Sequence, residues 1–495
     1  MHYYVAAIDL GASSGRVILG IFDKDNQSLL FREIHRFKNQ LVLEHGHLCW
    51  DIDHLEKEIK DGLNQLLNQG DITLNSLGID SWGVDYVCLD SEGQRIGPAI
   101  AYRDDRTCEV SQQLLQQIGE AQLYQQTGIQ FQPFNSIFQF KAQADDPFIH
   151  SESIHQVLMI PDYLHYRLTG EPHWEYTNAS TSGLLDVDAR DWAPNLLQAA
   201  QIDPDWLGEV RFPGEQIGTW QAPNGQQIPV ISPPTHDTAA AVAATPLRSS
   251  TSAYISSGTW SLIGVEREQP CTSAMARQAN LTNEGGANGH YRILKNVMGM
   301  WLVQGLLAEN PELTVEALTD RAAQYPLFTS LIDPNHPVFV HPDSMTQAIQ
   351  DYCQATNQTV PESVYALTRC VLDSLALSYW QSLRQIETAC ECQISEIHVV
   401  GGGSKNTFLN QLCANVCQKP VFAGPDEASA LGNIGYQLMG LGAIEDDRQL
   451  RQVIAQNFPQ QHYRPQQCIG LAAAQARFNA LPAMASLELK SEELI

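Results

Sequence analysis

Two turns rich in glycine and hydroxyl side chains constrain the fold of this chain more than any other feature. The first, DLGASSGR at residues 9–16, lies between apolar runs at residues 4–8 and 17–22, and the second, SSGTWS at residues 256–261, has a similar setting. Each predicts a strand, a tight turn and a return strand, because Gly and Ser let backbone N–H groups approach an anion closely. Taken singly, each is more typical of an ordinary hairpin turn. Together they indicate two phosphate-binding turns and a nucleotide held between two domains.

Asp9 ends the first apolar run and leads directly into the first turn. Its carboxylate beside a bound phosphate is tolerable only when a metal ion or its waters lie between the two charges. We therefore expect a magnesium nucleotide as the ligand. The chain contains neither the GxxxxGK[ST] loop nor the GxGxxG fingerprint, so the common loops for ATP and dinucleotides are not available.

The size and charge of the chain are typical of a large metabolic enzyme. Its 495 residues predict two domains, with a boundary near residue 245. Lys and Arg number 29 against 56 acidic residues, so the formal net charge is −27. A field of that sign repels nucleic acid and anionic membrane surfaces, and we expect neither as a partner.

The termini and cysteines predict a cytoplasmic protein. The start, MHYYVAAIDLG, has no basic region before its apolar run, and no apolar stretch is long enough to span a bilayer. The 11 cysteines are an odd number scattered over a long chain, which favours reduced thiols over a disulfide framework. None of their spacings completes a zinc site.

Apolar periodicity predicts alternating strands and helices in both halves of the chain. In the first half we expect a strand at 28–37, an amphipathic helix at 51–69 capped by Asp51 or Asp53, and a strand at 76–80. Residues 79–89, IDSWGVDYVCL, repeat the pattern of residues 4–16, because an apolar strand is again followed by an acidic residue and a glycine in a turn.

Two segments of the first half have a different composition. Residues 110–153 and 171–222 are richer in Gln, Pro, Trp and Asp. We expect these segments to be insertions that shape a pocket rather than elements of the sheet.

Asp237 is the candidate catalytic residue. An apolar strand at 228–231 runs through two prolines into Thr235-His236-Asp237-Thr238, and an alanine-rich helix follows at 239–244. A carboxylate at this position is fixed by the backbone and kept ionised by the helix dipole, as a base that receives a hydroxyl proton requires. A helix cap is the structural alternative. The two phosphate turns favour the base.

The second half repeats the alternation of strands and helices. Strands are expected at 253–255 and 261–265 around the second turn, and a strand at 396–400 leads into GGGSKN and a helix at 407–417. Three glycines between strand and helix let a flat base lie against bare backbone. A long amphipathic helix is expected at 363–388.

In sequence order, these motifs resemble those of one family. DLGASSGR, the acidic residue of HDT, SSGTWS and GGGSKNTFLNQ are similar to the first phosphate loop, catalytic base, second phosphate loop and adenosine loop of the FGGY family of carbohydrate kinases. Residues 428–435, ASALGNIG, are similar to that family's late glycine signature. The resemblance runs from about residue 4 to about residue 460.

The resemblance implies an α/β fold of the two-domain actin-like ATPase (ribonuclease-H-like) type, with a nucleotide and sugar cleft between the domains. Residues 1–245 would form the N-terminal domain, with sugar site, first phosphate loop and base. Residues 246–495 would form the C-terminal domain, with the second phosphate loop, the adenosine site and a tail that ends in a helix and an acidic stretch.

The resemblance also implies the reaction. GIDSWGVDYV, AYRDDRT, MIPDYL and WEYTNAS are most similar to family members that transfer the γ-phosphoryl of MgATP to O1 of L-rhamnulose in L-rhamnose catabolism. A kinase for another ketose or polyol (fuculose, xylulose, ribulose or glycerol) would share every nucleotide motif. A non-kinase actin-like ATPase is the more distant alternative. A monomer or small homo-oligomer is expected.

Individual site residues follow from the same resemblance. Those implied for ATP are Ala12, Ser13, Ser14, Gly15, Arg16, Thr259, Gln304 and Gly402. Those implied for the sugar are Gly83, His236, Asp237, Thr238 and Asn296, with Asp237 as the base. Asp9 would bind Mg²⁺ through water. Members of the family often have Thr where Ala12 stands and some have a side-chain donor where Gly15 stands, so here the backbone must do more of the phosphate binding.

L-rhamnulose is a 6-deoxy ketose, so its binding site needs an apolar surface for the methyl group. Trp82, Phe131 and Phe134 are the candidates, although core packing is the commoner fate of an aromatic side chain.

Overall fold

The computed structural model describes residues 1–70, 72–144, 146, 148–149, 151–340 and 342–482. The chain forms two compact units that are not contiguous in sequence. The first unit contains Met1–Ser250, Val265–Leu294 and Glu427–Pro459. The second contains Thr251–Gly264, Lys295–Asp426 and the chain from Gln460.

A six-stranded sheet forms the framework of the first unit. Its order is Gln216–Gln221, Gln227–Ile231, Ser76–Ser81, His2–Leu10, Ser14–Asp23 and Ser28–Lys38. The second, third and fourth strands of that order run parallel, and each outer pairing is antiparallel. Parallel strands bring their carboxyl ends to one edge of a sheet, which is where ligands collect in such folds.

The first hairpin and the strands expected at 28–37, 76–80 and 228–231 are confirmed. The expectation for residues 171–222 is wrong at its end, because Gln216–Gln221 is the edge strand of the central sheet. This strand pairs with the next one through a tight turn in which Gly225 has a φ of +87°. The Asn-Gly dipeptide at residues 224–225 is a hairpin signal that predicts such a pairing, against the composition of the segment.

Shorter strands and helices surround this sheet. The further strands of the first unit are Leu41–Glu44, His47–Trp50, Tyr86–Leu89, Arg95–Ile96, Ala99–Ile100, Gln156–Met159, Trp174–Glu175, Leu185–Asp186, Asp191–Trp192, Val210–Arg211 and Thr282–Gly285. Its α-helices are Ile52–Leu67, Cys108–Ile118, Glu120–Thr127, Ser136–Gln143, Ile160–Thr169, Tyr176–Ala179, Pro194–Ala199, Asp237–Ala244, Ala274–Gln278, Ala428–Gly440 and Asp447–Asn457.

The helix expected at 51–69 is confirmed as Ile52–Leu67, and Asp51 is its N-cap. The Asp51 carboxylate accepts a hydrogen bond from the N–H of His54 at 3.0 Å, which satisfies one of the backbone donors that a helix N-terminus leaves open. The apolar side chains of this helix lie in the main core of the first unit.

The late glycine signature forms the helix Ala428–Gly440, whose contacts place it in the first unit. A Cβ at Gly432 would collide with the carbonyl oxygen of Ala240. Glycine here lets this helix pack directly on the backbone of the helix that begins with Asp237.

The second unit also combines a sheet with helices. Its strands follow the order Tyr291–Met298, Trp260–Arg267, Ser252–Ser257, Glu396–Val400, Val421–Ala423 and Gln461–Tyr463. Its helices are Trp301–Ala308, Val315–Ala322, Met345–Ala355, Val364–Ala389, Thr407–Cys417 and Leu471–Asn479. The chain passes between the units within the strands Trp260–Arg267 and Tyr291–Met298. The strands and helices expected at 253–255, 261–265, 363–388, 396–400 and 407–417 are confirmed.

The division into domains 1–245 and 246–495 stays a prediction. The expected terminal helix is Leu471–Asn479, and the acidic stretch after it lies outside the described residues. None of the helices in the described part of the chain is both long and apolar enough to cross a bilayer.

Candidate active site

The predicted site residues of the first unit meet at the carboxyl edge of its parallel strands. Leu10 and Ser81 are register partners, and Ser81 forms a parallel bridge with His236. The N–H of Ser81 also donates to the carbonyl of Thr235 at 2.8 Å. The first turn, the SWG turn and the HDT segment therefore lie side by side.

Asp237 is the first residue of its helix, and His236 is the N-cap. Its side chain is 31% exposed, and Oδ1 accepts a hydrogen bond from Thr238 Oγ1 at 3.0 Å. Burial and the negative charge of Asp9 raise the pKa of Asp237 to about 7. This corrects the expectation that the helix dipole keeps Asp237 fully ionised, because both effects outweigh the stabilisation by Thr238. A pKa near neutrality suits a group that accepts a proton at physiological pH.

Asp9 belongs to a cluster of buried charges beside Asp237. Asp9 and Asp80 are register partners on neighbouring strands, and both are buried. Arg16 forms ion pairs with both Asp9 and Glu427. Burial and the Asp9 carboxylate raise the pKa of Asp80 well above its usual range, although Asn433 Nδ2 donates to Asp80 at 2.6 Å. The crowding of carboxylates at this edge attracts a cation.

The first turn presents its backbone. Ser13 is exposed, and Ala12 and Ser14 are half-buried. The N–H of Gly11 closes the turn by donating to the carbonyl of Ser14 at 2.9 Å, and Asn39 Nδ2 donates to the carbonyl of Gly11 at 3.0 Å. These bonds fix the conformation of the loop from below.

Gly15 has a packing reason that the sequence did not reveal. It is buried, and a Cβ at this position would collide with the buried ring of Phe37. A side chain at position 15 therefore requires that the Phe37 ring move.

A strained turn surrounds Gly83. The N–H of Asp85 donates to the carbonyl of Gly83 at 3.0 Å, and Val84 between them has a φ of +69°. A β-branched residue in the left-handed region is a genuine outlier, and its surroundings must hold it in place. Thr181 Oγ1 accepts from the N–H of Val84 at 3.1 Å, and Ser136 Oγ donates to its carbonyl at 2.6 Å. Strain held in this way is a mark of a functional site.

Asp85 fixes the aromatic side chains beside that turn. Its Oδ2 accepts from the indole N–H groups of Trp50 at 2.6 Å and Trp82 at 3.0 Å. The centroids of the two rings are 4.2 Å apart, and Trp82 is buried. Trp82 is therefore rigid.

Buried Glu175 holds the segment that precedes Asp237. It is fully buried, and its Oε2 accepts from both the N–H and the hydroxyl of Thr235, at 3.0 and 2.8 Å. The hydroxyl of Thr177 also donates to Oε2, at 2.5 Å, and in turn accepts from the N–H of His236 at 3.2 Å. Burial raises the pKa of Glu175, and these hydrogen bonds oppose the rise. The network fixes the backbone that carries His236.

The second turn lies in the second unit and is held by its carbonyl groups. The carbonyl of Gly258 accepts from the N–H of Met300 at 3.0 Å, and that of Thr259 accepts from Gly299 and Trp301 at 3.1 and 3.2 Å. Gly258 is exposed and Thr259 is half-buried. The loop thus has a fixed shape and an accessible face.

In the glycine turn of the second unit, GGGSKN at residues 401–406, one glycine is required by packing and its neighbour is exposed. A Cβ at Gly403 would collide with Ser257, whereas Gly402 is exposed and a Cβ there would meet no atom within 4 Å. Gln304 is exposed on the helix Trp301–Ala308, and Asn296 is half-buried on the strand Tyr291–Met298. Thr259, Asn296, Gln304 and Gly402 all belong to the second unit.

The sequence assigns no chemical role to Asp80, Glu175 or Arg292. The pattern IDSWG, which repeats IDLG around Asp9, indicates an acidic residue at the turn but not its function. Glu175 lies in WEYTNAS, a motif that indicates the family but not the role of its acidic residue. Arg292 had no local signal, since its partners His236 and Glu284 are brought to it by the fold.

Comparisons with known proteins match most of the chain. The models for the N-terminal and C-terminal domains of the FGGY family of carbohydrate kinases match residues 4–243 and 253–441. Two curated proteins named rhamnulokinase are similar to the chain. That of Pectobacterium carotovorum subsp. carotovorum is 50% identical over 480 residues, 96% of each chain, and that of Mannheimia succiniciproducens is 47% identical over 460 residues, 93% of this chain and 94% of the relative.

Solved structures support the same fold. A ligand-bound xylulose kinase from Lactobacillus acidophilus has a TM-score of 0.77 at 17% identity and covers 97% of this chain and 96% of its own. Plasmodium falciparum glycerol kinase, solved with ADP, has a TM-score of 0.77 at 14% identity, with 97% of each chain covered. These likenesses confirm the predicted two-domain α/β fold, with which the actin-like ATPase type is consistent.

Proposed function

The chain belongs to the FGGY family of carbohydrate kinases, and on that premise we propose that it transfers the γ-phosphoryl group of MgATP to O1 of L-rhamnulose, giving L-rhamnulose 1-phosphate and ADP. The name of the relatives, which match nearly the full length at 47–50% identity, supports this choice of substrate. One observation carries the chemistry: Asp237 is a partly exposed carboxylate with a pKa of about 7 at the ligand-binding edge of the sheet.

Asp237 acts as the general base. As O1 of the sugar attacks the γ-phosphorus, its proton passes to the Asp237 carboxylate, the bond from phosphorus to the bridging oxygen of ATP breaks, and ADP leaves. The hydrogen bond from Thr238 holds Oδ1 in place, so both residues belong to the reacting end of the sugar site.

The two turns bind phosphate oxygens. Around the first turn, exposed Ser13 and the neighbouring backbone N–H groups at 12–15 supply donors, and Arg16 supplies positive charge. In the second unit, Thr259 supplies donors in a turn whose carbonyl groups accept hydrogen bonds from residues 299–301. Such donors stabilise charge that develops in the transition state.

The residues around Asp9 fit a hydrated Mg²⁺. Asp80 Oδ1 is buried without a hydrogen-bond partner, and burial together with the negative charge of Asp9 raises the pKa of both Asp80 and Asp237. The described residues hold no group of three side chains able to chelate a metal by themselves. Mg²⁺ typically keeps several waters and binds one or two carboxylates together with substrate phosphates. When bound, it would neutralise phosphate charge, with Asp9 holding its water.

The sugar-binding residues follow the same division. Gly83 lies in the strained turn, and His236 and Thr238 flank the base. Trp82, rigid and beside that turn, stays a candidate for contact with the 6-methyl group, together with half-buried Phe131 and Phe134. Asn296 in the second unit, with Gln304 and Gly402 for ATP, completes the proposed set.

The decisive experiment is a coupled assay of ADP release over a panel of acceptors. L-rhamnulose, L-fuculose, D-xylulose, D-ribulose and glycerol are supplied with MgATP, and the sugar phosphate is identified by mass spectrometry. We expect the largest kcat/KM for L-rhamnulose. A larger value for another acceptor would reassign the substrate within the family. If every acceptor failed to give a phosphate ester, the kinase function would be refuted in favour of a non-kinase ATPase.

A cytoplasmic location accompanies this proposal. The many scattered thiols and the intracellular supply of ATP support it.

A further inference from the structure

Half-buried Glu284 and buried Arg292 and His236 form a chain of polar contacts that ends at the base. Arg292 is fully buried, and its Nη2 lies 3.0 Å from His236 Nδ1 and 3.0 Å from Glu284 Oε2. Its Nε donates to the carbonyl of Gly285 at 2.9 Å, which fixes the guanidinium plane. His236 Nε2, on the other side of the ring, lies 3.5 Å from Asp237 Oδ1.

The contact between Arg292 and His236 decides where the imidazole carries its proton. Arginine has donors only and does not lose its charge in proteins. His236 Nδ1 must therefore be the acceptor in this contact, and in a neutral ring the hydrogen then sits on Nε2.

From this geometry we propose that Arg292 is a positioning residue that holds His236 as the neutral Nε2–H tautomer, so that this N–H donates to a sugar oxygen bound beside Asp237. The distance of 3.5 Å from Nε2 to Asp237 Oδ1 is longer than a normal hydrogen bond, which leaves the N–H available to a ligand oxygen. The proposal rests on the sugar-kinase function above and adds a residue that this function did not include.

The charged groups around His236 explain why the arginine is needed. Arg292 faces the ring from the strand Tyr291–Met298, Glu284 from the strand Thr282–Gly285, and Asp237 from the helix that follows His236. Burial and the positive charge of Arg292 lower the pKa of His236 well below its usual range. Both carboxylates favour the imidazolium, and Glu284 Oε2, 3.5 Å from Nδ1, would favour a proton on that nitrogen. Without Arg292 the ring would take up a second proton or the other tautomer.

The direct test is the ¹⁵N spectrum of histidine-labelled protein, with His236→Gln to assign the signal. In the full-length wild-type protein at pH 7, we expect the shift pattern of a neutral Nε2–H imidazole. A protonated ring or an Nδ1–H tautomer would overturn the proposal. This readout does not depend on turnover, so it stands apart from the acceptor panel that tests the function itself.

Variants then test the link to the sugar. In Arg292→Lys and Arg292→Met we expect the KM for L-rhamnulose to rise about 3- to 10-fold, the loss of one hydrogen bond, with the KM for ATP unchanged. In Arg292→Met, which also removes the positive charge that lowers the pKa of His236, that sugar KM should depend on pH between about 6 and 8 as His236 begins to titrate. Arg190→Lys is the matched control, because Arg190 binds the adjacent Tyr291 through its hydroxyl and ring and has no contact with His236.

The outcomes separate positioning from folding. If both Arg292 variants fold and the sugar KM neither rises nor gains a pH dependence, Arg292 is only structural. If a variant does not fold, the wild-type spectrum still decides the tautomer.

Discussion

Asp9 and Arg16 face each other across the first hairpin as register partners, and the guanidinium of Arg16 forms an ion pair with the Asp9 carboxylate. Arg16 also forms an ion pair with Glu427. Burial lowers the pKa of Arg16, but the two carboxylates raise it by more, so the guanidinium stays charged. Arg16, at the end of the first turn, therefore partly neutralises Asp9, the carboxylate that raises the pKa of Asp237.

This coupling predicts opposite shifts in the pH profile of the enzyme. The wild-type kcat/KM should fall below a pKa of about 7, because protonated Asp237 cannot accept a proton. Asp9→Asn removes the negative charge and should move this acidic limb down by roughly 0.5 to 1 pH unit, whereas Arg16→Gln leaves Asp9 uncompensated and should move it up. Asp25→Asn, an exposed carboxylate at the N-terminus, is the control. If the acidic limb of kcat/KM had the same pKa in all four proteins, Asp9 would not be a cause of the raised pKa of Asp237.

Asp237→Asn should abolish most turnover without abolishing binding. We expect kcat to fall about 10²- to 10⁴-fold, the usual contribution of a positioned base, with the dissociation constants for ATP and sugar within a small factor of wild type. Asp51→Asn is the control, since Asp51 is a helix N-cap that asparagine replaces well. Rapid-quench kinetics and calorimetric titration measure the two effects. A variant with near-normal kcat would leave Asp237 as a helix residue only.

The same substitution should stabilise the protein at neutral and higher pH. Because the folded-state pKa of Asp237 is raised, the folded form resists ionisation, and wild-type stability falls as the pH rises from about 4 to about 7. Asparagine removes this cost. Near pH 4 the variant and the wild type should have the same melting temperature. At pH 8 the free energy of unfolding of the variant should exceed that of the wild type by about 2–4 kcal/mol. Differential scanning calorimetry across this pH range would contradict the pKa assignment if the gain were constant.

The positions of the motifs were predictable because each one ends an apolar strand, and parallel strands end at a common edge. This reasoning applies to Asp9 and Asp237, which both follow such strands, and it predicts a common edge for them. It could not find Arg292 or Asn433, whose partners are 56 and 353 residues away along the chain. Nor could it foresee the pKa of Asp237, since a helix dipole is visible in a sequence while the approach of Asp9 is a product of folding.

The glycine turn of the second unit allows adjacent positions to be compared. Gly402 is exposed with open space where a Cβ would stand, and its φ lies outside the left-handed region, so Gly402→Ala should fold and melt as wild type does. If a base lies against this backbone, the added methyl should nevertheless weaken ATP binding, by about 3- to 10-fold, with the sugar KM unchanged.

Gly403→Ala is the contrasting variant, because its Cβ would collide with Ser257 in the second phosphate turn. Overpacking of this kind typically costs about 1–3 kcal/mol, so the melting temperature of Gly403→Ala should fall where that of Gly402→Ala does not. Thermal melts and ATP titration on the two proteins separate packing from binding. If Gly402→Ala bound ATP as tightly as wild type, the adenosine site would have to lie away from this turn.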